Sequence, residues 1–135
     1  ETSHPDIFVA GDIANYQDPV FGKRRRVEHW DTARQHGKLV AKNMLGKHEP
    51  YNMVNYFFSD IFDLSFDFYG DNTDVDDQTL IGSFDEKSVA VLYSKEQIIK
   101  AAFIMGRPKE EKDAIVDAIL KKKNISTVRK TLRVQ

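Results

Sequence analysis

Apolar and polar residues follow distinct patterns along this chain, and each pattern predicts a different element. Residues 6–14, DIFVAGDIA, start with a continuous apolar run that is typical of a parallel strand buried on both faces. Residues 15–26 are polar and contain Asp-Pro and Gly, which predicts a loop. Residues 28–45 predict a helix that stops at Gly46, because apolar residues recur there every three or four positions: Trp30, Ala33, Gly37, Val40, Ala41 and Met44.

After residues 47–52 the pattern becomes aromatic and alternating. Within residues 53–70, Leu64, Phe66 and Phe68 fall on one face and polar residues fall between them, which predicts strand. The further predicted elements are strands over 78–84, 88–94 and 97–105, a helix over 109–123 and a polar tail over 124–135. The helix would bury one face, made by Ala114, Ile115, Ala118 and Ile119.

This order of elements predicts an α+β fold in two parts. Residues 1–48 are expected to supply the last strand, loop and helix of an α/β layer. Residues 49–135 are expected to form a compact α+β domain with an antiparallel sheet and helices.

Composition excludes several classes of function. Lys plus Arg is 20 and Asp plus Glu is 21, so nothing in the net charge of −1 favours nucleic acid or a membrane surface. The chain has no cysteine, which excludes disulfides, thiolate catalysis and thiolate-bound metals within it. No apolar run approaches the ~20 residues that span a bilayer, and no signal peptide is recognisable, so a cytoplasmic location is expected. The chain lacks an initiator Met, and we expect it to be a piece of a longer protein.

Metal binding is not predicted. His29 and His36 are seven residues apart on the predicted helix, whereas a helical zinc pair is normally about four apart. The acidic residues 71–77 fail the EF-hand pattern, because Asp76 stands where glycine is required. A solvated loop is the better interpretation of this segment.

The stretch RRRVEHWDTARQHG, residues 24–37, contains four Arg, two His, one Glu, one Asp and the only Trp of the chain. A carboxylate after a buried strand, here Asp12, lies where open α/β sheets bind ligands. The helix that follows begins near Glu28, and a helix N-terminus favours anions and developing negative charge. An ordinary amphipathic helix with Trp30 in the core remains an alternative. The basic run 23–26 is either solvated, or some of its Arg residues hold anionic groups or form salt bridges beside this helix.

Together these motifs resemble a known superfamily. PDIFVAGDIA resembles the second flavin motif of two-dinucleotide-fold flavoproteins. RRRVEHWDTARQHGKLVAKNMLG is similar to the corresponding segment of apoptosis-inducing factor, monodehydroascorbate reductase and ferredoxin-reductase-like NAD(P)H oxidoreductases. YNMVNYFFSDIFDLSFDFYGD resembles the start of their C-terminal reductase domain. The resemblance is strong over residues 5–70 and rests on the order of elements beyond them.

The resemblance implies a set of cofactor-binding residues. Asp12, after Gly11, would bind the ribityl chain of FAD. Glu28, His29 and Trp30 would face the isoalloxazine and the nicotinamide from the helix start. Phe57 and Phe58 would wall the flavin site, although relatives often have Trp at the position of Phe58. The cofactor-binding set is therefore Gly11, Asp12, Glu28, His29, Trp30 and Phe58.

The resemblance also implies a function. Residues 1–48 would be the end of an FAD-binding domain and residues 49–135 a reductase or interface domain. The parent enzyme would pass electrons from NAD(P)H through FAD to a ferredoxin, a Rieske-type protein or another small acceptor, and it would form homo-oligomers. No residue here is expected to act as a catalytic acid or base, and no glycine-rich dinucleotide fingerprint is present, so this part alone is expected to be inactive. A non-catalytic dimerisation or partner-docking domain without cofactor is the alternative.

Overall fold

The structure is a computed structural model that describes residues 1–132. It contains two compact units, Glu1–Asn55 (unit 1) and Tyr56–Gln135 (unit 2). The assignment of residues 1–48 and 49–135 to two functional domains stays a prediction. No helix in the described part of the chain is long and apolar enough to cross a membrane.

Unit 1 contains a small hairpin and one long helix. Strands β1 (Tyr16–Asp18) and β2 (Lys23–Arg25) pair antiparallel within the segment that was predicted as a loop. Asp18 makes this hairpin possible, because its carboxylate accepts hydrogen bonds from the backbone N–H groups of Val20 (2.8 Å) and Phe21 (3.3 Å) and so fixes the turn.

The strand predicted over residues 6–14 does not form. Residues 6–10 have no regular structure and Gly11–Ile13 is a single 3-10 turn. The side chains of Ile7 and Val9 are 50% and 37% exposed. A parallel strand needs a neighbouring strand for its backbone hydrogen bonds, and the described strands of unit 1 pair only with each other. The strand predicted over residues 6–14 is therefore wrong for this structure, in which unit 1 provides no partner for the apolar run.

Helix α1 (Trp30–Met44) confirms the predicted helix but not its buried face. Its end is a Schellman motif, in which the N–H groups of Gly46 and Lys47 donate to earlier carbonyls of the last turn (2.9 and 3.2 Å). Trp30 and Met44 are 71% and 62% exposed, so neither lies in a core. The buried residues are instead polar: Thr32 and His36.

Unit 2 is built on a five-stranded antiparallel sheet with the strand order β3-β4-β7-β6-β5. The strands are β3 (Tyr56–Ile61), β4 (Leu64–Gly70), β5 (Asp77–Ser83), β6 (Ser88–Lys95) and β7 (Ile98–Met105). The predicted hairpin between β6 and β7 is confirmed, with its turn at Glu96 and Gln97, one residue later than expected. Both turn residues have positive φ, as a tight two-residue hairpin turn requires.

The two faces of this sheet differ. Helix α2 (Lys109–Leu120) packs on β7 and β4. Four strand residues on that side are buried, as are three residues of the predicted helix face: Ala90, Leu92, Ala102, Ile104, Ile115, Ala118 and Ile119. The opposite face carries an apolar row that crosses all five strands, and we call it the apolar row: Phe57, Phe68, Phe103, Val91 and Leu80.

The C-terminal segment is more ordered than the predicted polar tail. Helix α3 (Ile125–Thr131) starts at Asn124, whose side chain accepts a hydrogen bond from the N–H of Ser126 (2.9 Å). Ile125, Val128 and Leu132 are buried at intervals that match one helix face. The last three residues of the predicted tail lie outside the described residues. The described residues contain three α-helices and two antiparallel sheets, which confirms the α+β fold class.

Candidate functional site

The turn at Gly11 and Asp12 lies against helix α1. Gly11 has φ 76°, which side-chain-bearing residues rarely adopt, and a Cβ atom built on it would lie 3.4 Å from the Cβ of Ala33. The glycine therefore lets the backbone approach the first turns of the helix closely. Asp12 follows with its side chain exposed to solvent. The structure thus places Gly11 and Asp12 beside the helix that carries Trp30.

The helix start presents backbone donors. His29 is the N-cap in an extended conformation, and its carbonyl accepts from the N–H of Ala33 (2.9 Å). The N–H groups of the first helical turn point out of the helix end and give it a partial positive charge. Asp31 in this turn pairs with Arg34 (2.9 Å), so the turn is held by its own ion pair.

Two large apolar side chains remain exposed near this helix end. Ile13, in the turn beside the helix, is 75% exposed, and Trp30, the first helical residue, is 71% exposed. The guanidinium of Arg34 lies 5.2 Å from the centre of the Trp30 ring, within cation–π range. Exposed apolar side chains next to backbone donors are a feature of surfaces that bind ligands or partners. The alternative with Trp30 in the core is wrong.

The basic run 23–26 is engaged in salt bridges, as one of the two interpretations predicted. Arg25 lies 3.6 Å from the buried carboxylate of Asp18. Arg26 lies 2.6 Å from Glu28, and both of these side chains are exposed. The carboxylate of Glu28 in the candidate site is therefore paired with the guanidinium of Arg26.

Phe58 lies in unit 2, near the start of the edge strand β3. Its side chain is 53% exposed and stacks at 6.1 Å on the ring of Tyr56. Its neighbour Phe57 belongs to the apolar row and therefore points to the other face of the sheet. The two rings cannot both line the same side of the sheet.

Sequence reasoning missed a buried polar and aromatic cluster in unit 1. The rings of Tyr16, His36 and Tyr51 meet edge to face, with centroid separations of 4.4 to 5.2 Å. The hydroxyl of Tyr16 lies 3.2 Å from the amide of Asn55. Burial raises the pKa of Tyr51 to about 12. The available sequence signal was Asp-Pro-x-x-Gly at residues 18–22, which predicts a tight turn. A hairpin at this turn would have indicated that Tyr16 lies close to later residues of unit 1.

Comparison with known proteins identifies the relatives of this chain. Monodehydroascorbate reductase of Pisum sativum is 37% identical over 124 residues, covering 85% of this chain and 28% of that protein. Monodehydroascorbate reductase 2 of Arabidopsis thaliana is 36% identical over 124 residues with the same coverage. The chain therefore spans less than a third of the length of these relatives.

Solved structures share the fold. A putidaredoxin reductase, solved in its covalent complex with putidaredoxin, superimposes with a TM-score of 0.84 at 21% identity, over 95% of this chain and 31% of that chain. The resemblance to the C-terminal portion of FAD-dependent pyridine nucleotide oxidoreductases is confirmed. The sequence model described as "Monodehydroascorbate reductase 3-like, C-terminal domain" matches residues 54–134. The chain therefore belongs to the family of monodehydroascorbate reductase 3-like C-terminal domains.

Proposed function

We propose that this chain is the C-terminal part of an FAD-dependent NAD(P)H oxidoreductase that delivers electrons to a small acceptor. The observation that carries the proposal is the open end of helix α1, where backbone donors and exposed apolar side chains lie beside the Gly11–Asp12 turn. The relatives that are similar over 85% of this chain are named as reductases. When bound, FAD would supply the redox chemistry, with NAD(P)H as the electron donor.

The residues of unit 1 fit part of a flavin. The backbone at Gly11 lies so close to α1 that a Cβ would contact Ala33, so the turn that carries Asp12 lies directly against the helix. Asp12 is exposed and can accept hydrogen bonds from ligand hydroxyls. Ile13 and Trp30 offer apolar surface to a large ring system.

Each side chain then has a distinct role in binding. Asp12 would hold the ribityl hydroxyls. The N-terminus of α1 would favour negative charge at the edge of the isoalloxazine, which is an electrostatic role and requires no proton transfer. His29 and Trp30 would border the ring, and Glu28, paired with Arg26, would orient polar groups near it. The assignment of Phe58 rests on the resemblance and stays a prediction.

The electron acceptor is proposed only as a class of molecule. A small electron carrier of the ferredoxin or Rieske type, or another small molecule, is the proposed acceptor. The solved putidaredoxin reductase, bound to such a carrier, supports this choice by fold. Homo-oligomerisation and a cytoplasmic location also remain predictions.

Substitution of Asp12 in the full-length protein tests the proposal. We expect Asp12→Ala to weaken flavin binding about 10- to 100-fold, because hydrogen bonds to a charged group contribute about 1.5–3 kcal/mol. Flavin content per protein and the rate of NAD(P)H oxidation are the measurements. Asp85→Ala is the control, because Asp85 is exposed in the β5–β6 turn of unit 2 and should leave both unchanged. Unchanged flavin content and oxidation in Asp12→Ala would reject the proposed role.

One observation favours the alternative, an interaction domain that binds no cofactor. In the apolar row, Leu80 is 57% exposed and Phe57, Phe68, Phe103 and Val91 are only partly buried. A sheet face of this composition is typical of a surface that meets another protein. Flavin content and self-association distinguish the two functions.

A further inference from the structure

The side chain of His36 in unit 1 combines burial with unsatisfied polar atoms. It is only 5% exposed, and neither ring nitrogen has a hydrogen-bond partner among the described residues. Buried polar atoms normally have such partners, because leaving them unsatisfied costs free energy. His36 belongs to none of the residues proposed to bind flavin, so its burial needs a separate explanation.

The His36 ring joins three segments of unit 1. It lies on helix α1, at 4.7 Å from the ring of Tyr16 in the hairpin and at 4.4 Å from the ring of Tyr51 in the segment after the helix. Tyr16 and Tyr51 also contact each other, with their centroids 5.2 Å apart. The three rings therefore close the hairpin and the later segment onto the helix. We call these three residues the ring cluster.

The charged groups around the ring cluster do not compensate a charge on the imidazole. Asp18 of the hairpin is occupied by Arg25 and by backbone N–H groups, and Asp31 of the helix is paired with Arg34. A cavity of about 300 Å³ adjoins the cluster, and its charged lining groups have both signs: Glu1, Arg24 and Glu49. Asp12, in the turn before the hairpin, is exposed to solvent.

We propose that the ring cluster is a pH-sensitive lock, which holds the hairpin and the segment around Tyr51 on helix α1 while His36 is neutral and opens when His36 is protonated. A neutral imidazole packs between two phenol rings as a small aromatic group. A charged imidazolium has no hydrogen-bond partner between these rings, so protonation favours a form in which the rings separate and the imidazolium is fully hydrated. The device does not depend on the proposed flavin site.

The direction of the pH effect follows from burial. Desolvation lowers the pKa of His36 below its ordinary value of 6.5. The open form therefore binds the proton more tightly than the closed form. The stability of the closed form is complete above about pH 6.5 and is lost as the pH falls from there towards the lowered pKa. Within this window, a fall of one pH unit should raise the equilibrium constant for opening by up to about tenfold.

Hydrogen exchange on the whole chain tests the lock. We expect protection factors of α1 and of the β1–β2 hairpin to fall between about pH 8 and about pH 5, by up to about tenfold per pH unit below about pH 6.5, after correction for intrinsic exchange. Unit 2 is an internal control, because all four histidines of the chain precede residue 49: His4, His29, His36 and His48. Its protection factors should change far less over the same range.

Two variants assign the effect to His36. His36→Phe keeps an aromatic ring but cannot be protonated, so the pH dependence of unit 1 should disappear. His48→Gln removes an exposed histidine outside the cluster and should retain the pH dependence. Should His36→Phe unfold unit 1, His36→Gln provides the same comparison with a smaller side chain. The proposal is overturned if unit 1 of the unsubstituted chain shows no pH-dependent opening, or if the dependence persists in a folded His36 variant.

Discussion

At the residue scale, the side chains that differ most from expectation are polar groups in buried positions. Arg107 and Glu111 of unit 2 form a salt bridge of 2.7 Å with side-chain exposures of 4% and 8%. Arg107 also donates to the hydroxyl of Ser88 on β6 (3.5 Å), so the pair connects the start of α2 to the sheet. A sequence pattern shows only that the two residues are four apart on a helix, which is equally typical of a solvated pair.

Removal of one partner of this pair should be costly. We expect Glu111→Ala to lower the free energy of unfolding of unit 2 by about 3–5 kcal/mol, because a buried guanidinium would lose its counterion. Denaturant unfolding followed by circular dichroism measures the change. Asp113→Ala is the matched control on the same helix, where Asp113 pairs with Lys109 in full contact with solvent. Similar losses in both variants would contradict the importance assigned to burial.

At the element scale, local sequence signals determine the ends of helix α1, and tertiary contacts determine its buried face. Its length and its stop at Gly46 were predicted correctly, because periodicity and the C-terminal glycine are local features. Its buried face was predicted incorrectly. Apolar periodicity predicted that Trp30 and Met44 are buried. The buried residues are instead Thr32 and His36, on the side of α1 where Tyr16 and Tyr51 pack.

Two glycines, one within α1 and one just after its end, should respond in opposite ways to substitution by alanine. Gly37 lies within α1, is exposed and has no atom within 4 Å of a built Cβ, so Gly37→Ala should stabilise unit 1 by about 0.5–1 kcal/mol. Gly46 also has open space around it, but its φ of 84° is unfavourable for alanine, so Gly46→Ala should destabilise by about 1 kcal/mol. Thermal unfolding of the two variants measures both effects. A shift of the same sign in both variants would show that backbone conformation does not decide the outcome.

At the scale of the whole molecule, the main feature is the apolar row on one sheet face of unit 2. The apolar row crosses every strand of the sheet and contains no charged residue. A second copy of the chain would therefore meet the apolar row without like-charge repulsion. We expect the interface of the predicted homo-oligomer to lie on this face. Aromatic pairs strengthen the face from within, such as Phe57 stacked on Phe68 at 5.2 Å.

Self-association of the chain tests this assignment. We expect the chain to form dimers and Leu80→Glu to weaken them at least about tenfold, because a carboxylate would be desolvated at the contact. Sedimentation equilibrium measures the dissociation constant. Leu45→Glu is the control, because Leu45 is 85% exposed but lies in unit 1, outside the apolar row. A monomeric chain, or equal weakening by both substitutions, would argue against this face as the interface.

The sequence by itself determined the features that depend on neighbours along the chain. The alternation of Leu64, Phe66 and Phe68, the β6–β7 hairpin and the face of α2 were readable because a strand repeats every two residues and a helix every 3.6. The motifs around Asp12 and Trp30 were likewise sufficient to indicate the family. Local spacing carries the information on strands, turns and helices without any knowledge of the rest of the fold, whereas the family is indicated by the resemblance of the motifs.

Only the tertiary structure decided which surfaces are covered. The apolar run of residues 6–10 is not a strand in unit 1, because strand pairing depends on a partner that the run itself cannot specify. Trp30 is exposed and His36 is buried, against the order of their hydrophobicity, because the hairpin and Tyr51 pack on one side of α1. Burial is a property of contacts between distant segments, so periodicity predicts that a helix has a buried face but not always which one.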